Sequence, residues 1–69
     1  MKPPVDFIMH GPTANDPTIS LYPQNGAATK EALERFPEAR ESLGCFSFYD
    51  ELAGLKAVVE LFRDGWRIG

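Results

Sequence analysis

His10 and Cys45 are the only histidine and the only cysteine among 69 residues, and they bound the chemistry this chain could perform. A nucleophilic pair needs a thiol and an imidazole within hydrogen-bond reach of each other. His10 stands before Gly11-Pro12, at the end of an apolar alternation. Cys45 opens the apolar run Cys45-Phe46-Ser47-Phe48, where a packed and inert thiol is the usual outcome. A surface histidine and a buried cysteine are therefore expected, with no catalytic pair. Structural zinc needs about four N, S or O ligands at recognisable spacing. Only two N or S ligands exist, and no carboxylate is spaced to complete the set. Asp6, Asp16 and Asp50 could gather around magnesium, but nothing in their spacing favours it. Asn25-Gly26 lacks the further glycines and the lysine of a phosphate loop. No catalytic residue, metal or cofactor is expected, and the chain is not expected to be an enzyme.

Charge offers a different kind of site. Ten acids face seven bases, the net charge is −3, and eight of the acids lie between Glu31 and Asp64. Nucleic-acid binders are rewarded for clustered Lys and Arg, so this balance argues against DNA or RNA as the partner. Glu31, Glu34, Glu38 and Glu41 recur at helical spacing and are expected to project from one side of the first helical segment. Such a row costs a little through repulsion, and a Glu31–Arg35 pair four apart offsets part of it. It would serve as an acidic face docking on a basic or nucleic-acid-binding protein. A second candidate surface is aromatic. Phe7 and Ile8 fall on opposite faces of a strand, so Ile8, Tyr22 and Tyr49 are expected on the far side of the sheet, a composition suited to protein docking.

The elements that must position these residues follow from periodicity. Val5-Asp6-Phe7-Ile8-Met9-His10 reads as a strand with Val5, Phe7 and Met9 on one face. Gly11 to Pro17 is too rich in breakers for regular structure. Thr18-Ile19-Ser20-Leu21-Tyr22 is the return strand of a hairpin, with Ile19 and Leu21 inward and Pro23 ending it. A helix begins near Gly26 with Asn25 as its cap. Its apolar side would carry Ala28, Ala32, Leu33, Phe36, Ala39 and Leu43. Pro37 would clash with the Leu33 carbonyl, so the helix is expected to end near Arg35 or Phe36, then kink or restart at Pro37 and run to Gly44.

Cys45-Phe46-Ser47-Phe48 is a third strand. Ile19-Ser20-Leu21-Tyr22 is echoed by Phe46-Ser47-Phe48-Tyr49, which suggests two strand–helix units. Asp50 caps a second helix whose apolar arc holds Leu52, Leu55, Val58, Val59, Leu61 and Phe62. That arc is wider than one sheet face requires, so a last strand or a second copy of the chain would have to cover the excess. Gly65 stands where a left-handed residue ends a helix. Trp66, the only tryptophan, would pack back near Leu61 as the last piece of the core, the alternative being an exposed hook for a partner.

The expected fold is therefore a single α+β domain over residues 1–69, β-β-α-β-α with a last β optional. Its three- or four-stranded mixed sheet carries both helices on one face. No apolar run approaches the roughly 20 residues of a membrane span, and a cytoplasmic location away from membranes is expected.

The short hairpin, the Pro23-Gln24-Asn25 turn, the alanine-rich acidic helix and the closing Asp64-Gly65-Trp66-Arg67-Ile68-Gly69 together resemble the small accessory proteins of phages and mobile elements. Some of these, the anti-CRISPR proteins among them, inhibit host defence. The resemblance implies a small acidic protein that blocks a host protein by occupying its surface. It carries no residue roles. The alternative expectation is a homodimer with a structural or regulatory role.

Overall fold

The protein's structure, a computed structural model, describes residues 4–69. It is an α+β fold with two helices and a five-stranded mixed sheet. The elements are β1 (Val5–His10), β2 (Ile19–Pro23), α1 (Gly26–Arg35), β3 (Arg40–Ser42), β4 (Cys45–Phe48), α2 (Glu51–Arg63) and β5 (Trp66–Ile68). The sheet runs β3-β4-β2-β1-β5, antiparallel except for the parallel pair β1–β5.

Alternation along the strands separates two faces. Phe7, Ile19, Leu21, Phe46, Phe48 and Trp66 point inward, and Ala28, Ala32, Phe36, Ala57, Val58 and Leu61 close over them in one core. The echoed segments are the two central neighbours of the sheet. Ile19 opposes Phe48, Leu21 opposes Phe46, and Ser20 opposes Ser47. The two serine hydroxyls are 2.9 Å apart on the outer face. Similar sequences thus build similar, mutually complementary strands.

Both helix starts follow the expected chemistry. The Asn25 side chain accepts from Ala27 N at 2.9 Å, and the Asp50 carboxylate accepts from Ala53 N at 3.2 Å. Pro37 ends α1: Phe36 is the C-cap, with φ −120° and ψ 81°, outside the helical region that a following proline disfavours.

The chain beyond Pro37 departs from expectation. No second helical piece forms. Residues 40–42 make an extra edge strand, β3, folded onto β4. The cause is a two-residue turn with positive φ at both central positions, Leu43 (51°) and Gly44 (84°), as a type I′ hairpin requires. Gly44 was legible as a stop. Leu43 was not, because leucine is a poor residue for positive φ, and here it lies fully exposed rather than on an apolar helix face. Replacing Leu43 with asparagine, which tolerates this backbone, is expected to stabilise the protein by about 0.5–1 kcal/mol. Urea unfolding checks this, and a lowered midpoint would contradict the turn assignment.

Trp66 is part of the core. Gly65 ends α2 at φ 96°, and its N–H donates to the Phe62 carbonyl at 3.1 Å, one of the two bonds of a Schellman ending. The chain then enters β5, where Val5 opposes Trp66. The indole packs against the rings of Phe7 and Phe46, centroids 5.7 and 6.2 Å away.

Candidate functional site

The two nucleophile-and-base candidates are not brought together. His10 lies on the exposed outer face at the end of β1, its ring 5.1 Å from that of Tyr22. Cys45 opens β4, with β2 between the two strands. Two strand spacings put them roughly 10 Å apart or more, beyond a hydrogen bond. Cys45 is buried, and its thiol donates to the Ser42 carbonyl at 2.9 Å, within the β3–β4 hairpin. Among the described residues no three His, Cys, Asp or Glu side chains converge as a metal site. Asp16 closes a turn by accepting from Thr18 N at 2.9 Å, and that hydrogen bond holds its carboxyl below the usual aspartate value.

The four glutamates do not share one helix face. Glu31 and Glu34 are exposed on α1, Glu38 lies in the turn after Pro37, and Glu41 lies on the edge strand β3. The expected row required a helix through Pro37, and the β3–β4 hairpin replaces that helix. The neighbouring charges are partly engaged: Arg35 in the last turn of α1 pairs with Asp64 at the end of α2.

Ile8, Tyr22 and Tyr49 are exposed, but only Ile8 and Tyr22 are neighbours. Ile8 and Tyr22 are direct cross-strand partners on the outer face. Tyr49 follows on from β4, with the Arg40 guanidinium 5.7 Å from its ring centroid. The neighbouring Cys45 sulfur opposes negative charge on Tyr22 and so raises the Tyr22 hydroxyl above its ordinary value. A raised acid favours folding below the unfolded tyrosine value, and that contribution is lost as pH rises through the folded value. In a Tyr49→Phe background, Cys45→Ala is expected to move the absorbance titration of Tyr22 downward. An unmoved curve would exclude the sulfur as the cause.

The surface whose exact residues the sequence left open is on α2. Gly54, Ala57, Val58 and Leu61 are the residues buried against the sheet. Leu52, Leu55, Val59 and Phe62, the part of the wide apolar arc that the sheet does not cover, are 42–60% exposed, as is Ile68 on β5. The Phe62 ring reaches the buried Phe7 ring at 5.9 Å, and Ile68 opposes Phe7 on the edge strand β5. The polar border of this α2 surface is Lys56, Glu60 and Arg63, which line an open groove with Leu55 and Val59. By contrast, a concavity of about 220 Å3 between α1 and the end of α2, floored by Ala28, Ala32, Leu61 and Trp66, is below the roughly 300 Å3 at which small-molecule sites begin. A helical wheel reports a wide apolar arc, and it does not say which half of that arc meets the sheet. Gly54 and Ala57 were the available signal, since small residues mark close helix–sheet approach.

The chain matches no protein-family model, and no curated protein or solved structure is detectably similar to it. Among the described residues no helix is long and apolar enough to cross a membrane.

Proposed function

We propose that this protein is a non-enzymatic protein-binding module that works by surface occupation, with the outer stripe of α2 as its contact. One observation carries this proposal: Leu52, Leu55, Val59 and Phe62 are half-exposed large apolar side chains on one face of α2, with a further exposed one, Ile68, on the edge strand β5. Single exposed apolar residues are ordinary, whereas contiguous ones rimmed by charge mark interaction sites. Acidic residues elsewhere, including Glu31 and Glu34 on α1, supply solubility. Blocking a partner in this way is also the mode implied by the resemblance to phage accessory proteins.

Immobilised wild type is to be compared with Leu55→Glu/Val59→Glu and with reversal of Glu31, Glu34, Glu38 and Glu41 to lysine, each shown folded by circular dichroism. The expected result is that proteins retained from lysate by wild type persist with the lysine variant and disappear with the stripe variant. Retention by the stripe variant together with loss from the lysine variant would place the contact on the acidic residues and overturn the proposal.

A further inference from the structure

Building on the stripe as the contact surface, we infer that its occupant is a second copy of this chain, with the two α2 helices packed parallel about a two-fold axis. The spacing of Leu52, Leu55, Val59 and Phe62 is three, four, three, the a-d-a-d seam of two-stranded helix packing. At 100° per residue the seam spans about 80° of the helix, centred about 130° from the residues buried on the sheet, so each copy's sheet points away from the contact. Two heptads are too few to sustain an isolated coiled coil. Here the nucleation cost is already met, because the sheet holds α2 folded.

Area and charge both favour self-pairing. The four seam side chains, about half exposed, amount to roughly 400 Å2 of apolar surface, and the bordering charged stems bring each copy toward the ~800 Å2 of a standard interface. Glu51 borders the seam on one side and Lys56 and Arg63 on the other. In a parallel pair the residue before one seam position meets the residue five further on in the partner, so Glu51 of each copy faces Lys56 of the other, twice per dimer. An antiparallel pair would instead set Lys56 of one copy against Arg63 of the other, which is repulsive. A self-complementary patch of this kind closes on itself and does not propagate. Dimerisation would also stabilise a chain too short to bury a large core.

Sedimentation equilibrium from about 10 μM to about 1 mM tests the stoichiometry, and disulfide trapping tests the orientation. Wild type is expected to dimerise, and Leu55→Glu to weaken the dimer by roughly 100-fold or more. Glu51→Lys or Lys56→Glu alone is expected to weaken it roughly five- to tenfold, and the double reversal to restore most of the loss. With Cys45 replaced by serine, Leu55→Cys is expected to link to itself under mild oxidation, because position 55 meets its own copy only in the parallel pair. Linking that requires Leu55→Cys and Val59→Cys together would overturn the parallel arrangement. A monomer at 1 mM whose stripe still governs capture of a different protein would overturn the second copy and leave the stripe as the contact. A monomer with no stripe-dependent capture would remove both.

Discussion

Trp66→Ala is expected to destabilise the protein by about 3–5 kcal/mol, the range for removing a large aromatic from a packed core. A chain of this length has a total stability of only about 3–10 kcal/mol at 0.05–0.15 kcal/mol per residue, so the variant should be largely unfolded or close to it at room temperature. The indole is nearly buried, and it touches both Phe7 and Phe46, which are themselves fully buried. Its removal leaves a void between β5, β1 and the end of α2 that none of these can collapse to fill, since β5 is held by parallel pairing with β1 and by the Gly69 N–H to Phe7 carbonyl bond of 3.0 Å. Trp66→Phe keeps much of the contact and should recover more than half of the loss. Far-UV circular dichroism against urea measures both. A midpoint change in Trp66→Ala worth less than about 1 kcal/mol would show that the indole is not a core element.

Gly54→Leu is expected to cost about 3 kcal/mol, at or above the upper end for overpacking. Gly54 is where α2 comes closest to the sheet. A Cβ at this position would lie 2.8 Å from Ile19 Cδ1 and 3.2 Å from the Cβ atoms of Ile19 and Phe48. Those two residues face each other across β2 and β4, so no side chain can enter without lifting the helix off the centre of the core. Gly54→Ala shows the competition of two effects. Helix propensity favours alanine by about 1 kcal/mol, and crowding against Ile19 and Phe48 opposes it, so the net change should be a small loss. Lys30→Leu, at an exposed position on α1, should unfold at nearly the wild-type midpoint. If Gly54→Leu also unfolded at the wild-type midpoint, α2 could not be seated at this height. The pair of results bears on function too, because the seating of α2 on its glycine face is what turns Leu52, Leu55, Val59 and Phe62 outward.

Where residue chemistry acts locally, the elements followed from composition alone. Asparagine and aspartate placed the two helix caps, Pro37 ended α1 by steric clash, Gly65 ended α2, and alternation assigned Phe7, Ile19 and Leu21 to the core. Ile8, Tyr22 and Tyr49 were assigned correctly to the exposed outer face for the same reason: a strand has a period of two, and one buried face determines the other. The failures arose where the outcome depended on distant partners. Residues 38–43 have helical character, yet pairing with β4 drew residues 40–42 into the sheet and forced positive φ on Leu43, a cost no local signal advertised. That single change dispersed Glu31, Glu34, Glu38 and Glu41 over a helix, a turn and a strand.

The sequence by itself therefore determined the α+β class, the two helices with their caps, the inward strand residues and the burial of Trp66, because each rests on local sterics or on the removal of apolar area from water. Tertiary structure alone decided the fifth strand, the separation of His10 from Cys45 by β2, and which side of α2 meets the core. Helix periodicity ranks faces by hydrophobicity. Close packing selects among them by shape, and on α2 the small residues Gly54 and Ala57 won the sheet while the larger Leu52, Leu55, Val59 and Phe62 were left outside.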